Sequence, residues 1–127
     1  MIDAIVDHAR TSVPDECCGM LIGSDRTIDL AVPARNIAPH PTTRFLIEPR
    51  DHLEALRAAR RSGRDVVGFY HSHPRSAALP SAVDRAEASY PDHLFLIVGL
   101  GGGTADVRLY RFCDGNFELT PFVTVAE

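Results

Sequence analysis

The stretch that most restricts the fold is "DVVGFYHSHP", residues 65–74. A short apolar run bounded by turn signals reads as a buried strand, here over 66–70. Strand side chains alternate faces, so residues two apart point the same way. His71 and His73, at the end of that run, therefore present both imidazoles to one point. Pro74 follows, removes a backbone donor and stops the strand. The next acidic residue is Asp84, in the first turn of a helix that opens at Ser81. Two imidazoles and one carboxylate suit Zn2+, and three protein ligands leave a fourth tetrahedral position for water, as catalytic sites require. The same residues have a plainer explanation. Ser81 and Asp84 also form a capping box behind Pro80, and paired histidines at a strand end are often ordinary surface residues. The two readings are compatible, because a rigid helix start is a good mount for a ligand.

The flanking sequence predicts a sheet with helices. Ile2, Ile5, Val6 and Ala9 fall at helical spacing, giving an amphipathic helix over 2–12 that Pro14 ends. "CCGMLIGS" (17–24) reads as a buried strand, and "TIDLAVPARNI" (27–37) as its partner through a turn near Ser24 and Asp25. A Pro-rich loop leads to "RFLIE" (44–48), expected as a third strand. "PRDHLEALRAARRSG" (49–63) predicts a helix with Pro49 at its first position, Leu53, Leu56 and Ala59 on one side, and Gly63 as the stop. "SAVDRAEASY" (81–90) follows the histidines as a short helix. "HLFLIVGL" (93–100) and "ADVRLYRF" (105–112) are strands around a "GGGT" turn, and "FELTPFVTV" (117–125) is a final strand. The expected fold class is α/β in the broad sense (α+β): a mixed central sheet flanked by helices, one domain over residues 1–127.

Composition narrows the function classes. A net charge of −4 and a pI near 5.8 provide no basic face for nucleic acid. The N-terminus lacks the pattern of a signal peptide, and no apolar run approaches the roughly 18 residues that span a bilayer. Cys17, Cys18 and Cys113 are odd in number and form no C-x-x-C pair, which argues for reduced thiols and a cytoplasmic protein.

The combination "HSHPRSAALPSAVD" matches H-x-H-P-x(6)-S-x-x-D, the signature of the JAMM (MPN+) zinc metalloprotease family. "PDECCGMLIG" resembles that family's first block, with a Glu three residues before a Gly at a strand start. The middle segment, "ARNIAP" and then "TTRFLIEPRDHLEAL", is similar to the family's order of strand, loop, strand and helix. The resemblance covers nearly the whole chain and implies the JAMM/MPN fold, itself similar to that of the cytidine deaminases. It implies His71, His73 and Asp84 as zinc ligands, Glu16 as the general base, and Ser81 as the hydrogen-bond donor to the oxyanion. The choice of Glu16 over Glu48 or Glu87 rests on the resemblance alone.

The remaining candidates weigh less. His8, His52, His40 and His93 read as surface or capping residues, and Cys17 and Cys18 as small core residues of a strand. "VGLGGGTAD" fails the dinucleotide pattern because Thr104 stands where the third Gly belongs. The zinc deaminases need a P-C-x-x-C pair, which the chain lacks. Only six residues separate Pro74 from Ser81, which leaves no room for large insertions that grip two linked ubiquitins. This resembles the small prokaryotic members of the family. The implied substrate is a ubiquitin-like sulfur-carrier protein, cut after its C-terminal Gly-Gly to remove an amino acid, short extension or adduct. Two alternatives stand beside it: a non-catalytic MPN-type scaffold, and a hydrolase of small or peptidoglycan-derived peptides. The sequence leaves the choice between monomer and homodimer open.

Overall fold

The computed structural model describes residues 1–87 and 93–125, except for the side chains of 85–87. Among the described residues, six strands and three helices follow in the order α1 (Ile2–Ser12), β1 (Cys18–Ser24), β2 (Thr27–Ala34), α2 (Pro49–Arg61), β3 (Asp65–His73), α3 (Ala82–Glu87), β4 (Leu94–Gly99), β5 (Asp106–Cys113) and β6 (Asn116–Leu119). The strands form one mixed sheet in the order β2-β1-β3-β4-β5-β6. β3 and β4 are parallel, and the other neighbouring pairs are antiparallel. The expected mixed sheet with flanking helices is therefore the observed one.

The sheet has an apolar core on each face. α1 contributes Ile5 and Ala9 to one, with Cys17, Leu21, Tyr70 and Leu96. α2 contributes Ala55 and Ala59 to the other, with Cys18, Met20, Phe69 and Phe95. Adjacent Cys17 and Cys18 enter opposite cores, as the strand alternation requires. Phe69 marks the α2 side of β3, so His71 and His73 continue along that face.

Four expectations are corrected in detail. "RFLIE" does not form a strand; its one sheet-like contact is the isolated bridge Asn36↔Ile47. The Asn36 side chain takes over the role of a strand partner. It donates to the carbonyls of Glu16 and Arg44 at 2.9 and 3.0 Å and accepts from the N–H groups of Ala38 and Leu46 at 3.0 Å each. The second strand ends at Ala34 rather than Ile37 because β2 is an edge strand with neighbouring pairs only to β1. The last strand stops at Leu119, two residues before Pro121 would remove a ladder donor. On α2, Leu53 is 45% exposed, and small Ala55 and Ala59 with part-buried Leu56 make the contact stripe. Finally, α3 spans Ala82–Glu87, and the expected extension to residues 88–90 lies outside the described residues.

Turn chemistry holds where it was expected. Gly63, just past α2, adopts φ +74°, the left-handed conformation that ends helices without a Cβ penalty. Gly103 adopts φ +86° in the turn joining β4 to β5.

Candidate metal centre

β3 delivers both histidines to its C-terminal end, where His71 is 1% and His73 6% exposed. The Nε2 atoms face each other at 3.2 Å. Asp84 reaches them from the start of α3, with Oδ1 3.2 Å from His71 Nε2 and Oδ2 3.1 Å from His73 Nε2. The ligand atoms of these three residues lie within 4.8 Å of one another, so together they could hold a metal ion.

Hydrogen bonding decides what such a cluster can accept. His73 Nδ1 lies 3.0 Å from the carbonyl of Ala77. A carbonyl only accepts, so that nitrogen carries the proton, and a neutral His73 turns the lone pair of Nε2 towards a carboxylate and a second imidazole. A lone pair facing a carboxylate at 3.1 Å needs a positive charge between or beside them. A proton on His73 meets that need, and so does a divalent cation, which matches the donor set of two nitrogens and one oxygen. A metal-binding histidine usually donates its other ring N–H to a backbone carbonyl, and His73 has this support from Ala77. His71 is held differently: Phe45 stacks on it at 4.4 Å and 21°, and its buried Nδ1 has no hydrogen-bond partner among the described residues.

The titration directions fit this picture. Burial pushes the His71 pKa down, keeping the ring neutral. Burial acts the same way on His73, but its hydrogen bond to Asp84, the Ala77 carbonyl and the charges of Asp84 and Glu16 outweigh it and raise the pKa. Burial raises the Asp84 carboxyl, yet the hydrogen bonds from His71 and His73 prevail and hold it well below the usual carboxylate range.

Ser81 and Asp84 form the capping box reciprocally. The Ser81 N–H donates to Asp84 Oδ2 at 2.9 Å, and the Asp84 N–H donates to Ser81 Oγ at 3.0 Å. Ser81 Oγ is an acceptor in that bond, so its own O–H proton is not used there. The capping bond therefore leaves the Ser81 O–H proton free for another acceptor.

Glu16 lies just before β1, the strand that pairs with β3. Cys18 pairs with His71, and Cys17 and Ser72 bond through Cys17 N to Ser72 Oγ (2.8 Å) and Ser72 N to Cys17 O (3.2 Å). Continuing that register sets Glu16 across from His73, where its charge helps to raise the His73 pKa. Glu16 is only 6% exposed, and its backbone is fixed on both sides, its N–H to Pro41 O at 2.7 Å and its carbonyl to Asn36 Nδ2 at 2.9 Å. His71, His73 and Asp84 thus meet at the end of β3, Ser81 is bonded to Asp84, and the backbone register sets Glu16 across from His73. Asn36, Phe45, Ser72 and Ala77, which shape this site, were not singled out. Asn36 and Phe45 read as ordinary residues of expected strands, and no sequence signal sets any of the four apart.

A family model described as prokaryotic homologs of the JAB domain matches residues 1–113. The chain belongs to the prokaryotic JAB-domain family. This JAB-domain chain is 41% identical over 106 residues to a desampylase of Haloferax volcanii, covering 79% of the chain and 76% of the relative. It is 34% identical over 131 residues to the CysO-cysteine peptidase of Mycobacterium tuberculosis, covering 100% of the chain and 88% of the relative. Its backbone is similar to the solution structure of a Desulfitobacterium hafniense protein, with a TM-score of 0.88 at 27% identity over 99% of this chain and 89% of that one. The resemblance to the JAMM family read from the motifs agrees with this membership. No helix among the described residues is long and apolar enough to cross a membrane.

Proposed function

We propose that this single JAB domain is a zinc-dependent peptidase that cleaves the amide bond after the C-terminal Gly-Gly of a ubiquitin-like sulfur-carrier protein. The observation that carries the proposal is the pair of His Nε2 atoms converging with the Asp84 carboxylate while His73 Nδ1 is held by Ala77. His71, His73 and Asp84 hold the zinc ion. When bound, zinc supplies Lewis-acid polarisation and brings the pKa of a water towards about 7.

The chain's own residues do the rest. Glu16, buried and set across from His73, takes the proton of the attacking water and returns it to the leaving amine, so that a neutral amine departs. Ser81 donates its O–H to the oxyanion that develops on the scissile carbonyl, an interaction that contributes typically a few kcal/mol in the transition state. The relatives support the substrate class: one is a desampylase and another is a CysO-cysteine peptidase. The six-residue span between Pro74 and Ser81 supports a single carrier tail rather than a pair of linked ubiquitins. A cytoplasmic setting is supported by the odd number of cysteines and the lack of a C-x-x-C pair.

The test is to incubate the zinc-loaded protein with sulfur-carrier proteins extended by one or two residues beyond Gly-Gly and to follow their mass. Loss of the extension is expected. Intact carriers across several candidates would overturn the substrate claim. Hydrolysis of free dipeptides in their place would favour a small-peptide hydrolase, and purified protein that takes up no zinc would favour a scaffold.

A further inference from the structure

Ala78 is completely buried in the segment between β3 and α3, and both of its backbone polar atoms go to side chains of β5. Its N–H donates to Asp106 Oδ2 at 3.2 Å, and its carbonyl accepts from the Tyr110 hydroxyl at 2.6 Å. Asp106, Arg108 and Tyr110 alternate along β5 and so share one face, with Arg108 Nε donating to Asp106 Oδ1 at 3.1 Å. Gly99, the partner of Asp106 across β4 and β5, lets the segment lie directly on the sheet. A Cβ there would sit 2.4 Å from Ala78 N and 2.5 Å from the Ala77 carbonyl carbon.

The peptide plane gives this contact its consequence. The Ala77 carbonyl and the Ala78 N–H belong to one rigid unit and point in opposite directions. Asp106 holds the N–H end, and His73 Nδ1 meets the carbonyl end at 3.0 Å. Fixing one end therefore aims the other. The bond to a carboxylate also polarises the peptide and makes its carbonyl a better acceptor.

We propose that Asp106, assisted by Tyr110, is a positioning residue that holds the Ala77–Ala78 peptide against His73 and so keeps the proton on Nδ1 and the lone pair on Nε2. The proposal rests on the reading of His73 as a metal ligand. In that role Asp106 acts through a peptide bond from the opposite side of the segment and touches neither metal nor substrate.

The test reads the histidine tautomer directly, by long-range proton–nitrogen NMR of protein labelled with 15N-histidine, alongside zinc affinity and melting temperature. Wild-type His73 is expected to be protonated on Nδ1, in the metal-free protein near pH 8 and in the zinc-loaded protein. Asp106→Ala is expected to populate the Nε2–H form and to weaken zinc binding by about tenfold or more. Asp106→Asn, whose amide oxygen still accepts from Ala78, is expected to restore both. Tyr110→Phe is expected to give a smaller shift in the same direction. A folded Asp106→Ala protein with His73 wholly on Nδ1 and zinc affinity within about twofold of wild type would overturn the proposal. So would Nε2–H in the wild-type protein, a readout that needs no variant to fold. Absence of zinc binding by the wild type would count against the ligand reading, while the tautomer would still decide the role of Asp106.

Discussion

Ser72, which lies between the two histidines, grips Cys17, which follows Glu16, through both its side chain and its backbone. Its hydroxyl accepts from Cys17 N at 2.8 Å, and its own N–H donates to Cys17 O at 3.2 Å. Ser72→Ala leaves a buried N–H without its partner, which costs about 1–3 kcal/mol. The variant is expected to melt at a lower temperature and to lose more turnover than zinc affinity, because the displaced group is Glu16 and not a ligand. Equal losses in both, followed by calorimetry and zinc titration, would contradict this division.

Glu16→Gln and His73→Ala should separate proton transfer from metal binding. Glu16→Gln keeps the shape of the side chain but removes its ability to take a proton, so zinc content stays stoichiometric while cleavage falls by at least about a hundredfold. His73→Ala loses zinc, cleavage and the stability that zinc confers on the folded state. Metal analysis and a mass-spectrometric cleavage assay check both, and a Glu16→Gln protein of normal activity would remove Glu16 from its role.

Zinc affinity should follow the loss of about one proton near neutral pH. Both rings must be neutral to bind metal. Burial lowers the His71 pKa, so that ring is already neutral and adds no competition. The His73 pKa is raised, since its interactions with Asp84, Ala77 and Glu16 outweigh burial, so its proton competes above the ordinary value of about 6.5. Affinity therefore increases with pH through that region and levels off once His73 is neutral. A slope of about two protons over the same range would show that His71 also titrates there.

The cysteines should differ in reactivity. Burial pushes the Cys17 thiol up to about 11 and the Cys18 thiol up to about 12, which leaves almost no thiolate at neutral pH. Cys113 is only partly buried. Iodoacetamide is expected to label Cys113 first in the native protein and all three residues in urea, as read by peptide mass. Rapid native labelling of Cys17 would show that the β1 end opens readily.

The candidate ligand set was legible in the sequence because its spacing is local. A strand alternation puts His71 beside His73, and a helix that starts at Ala82, nine residues after His73, brings in Asp84. The main strands and both long helices were legible for the same reason, through periodicity and punctuation by Pro and Gly. What failed was decided by distant contacts. "RFLIE" has the composition of a strand, but the Asn36 side chain takes the Arg44 carbonyl and the Leu46 N–H, so backbone pairing is confined to one bridge, and Phe45 lies on His71. Leu53 looks like a core residue until the close approach of α2 to the sheet favours Ala55 and Ala59. Glu16 could be chosen only by resemblance, since nothing local sets it apart from other glutamates. The register of β1 on β3 is what gives it its place.

That register also imposes an order of assembly. The three candidate ligands span residues 71–84, whereas Glu16 reaches them only when β1 docks on β3, across a separation of more than fifty residues. Contacts that close such long loops carry a larger entropy cost and tend to form after local ones. A partly folded or newly made chain could therefore assemble its metal cage while still lacking the group that moves the proton. Until β1 docks on β3, the candidate ligands and Glu16 are not brought together.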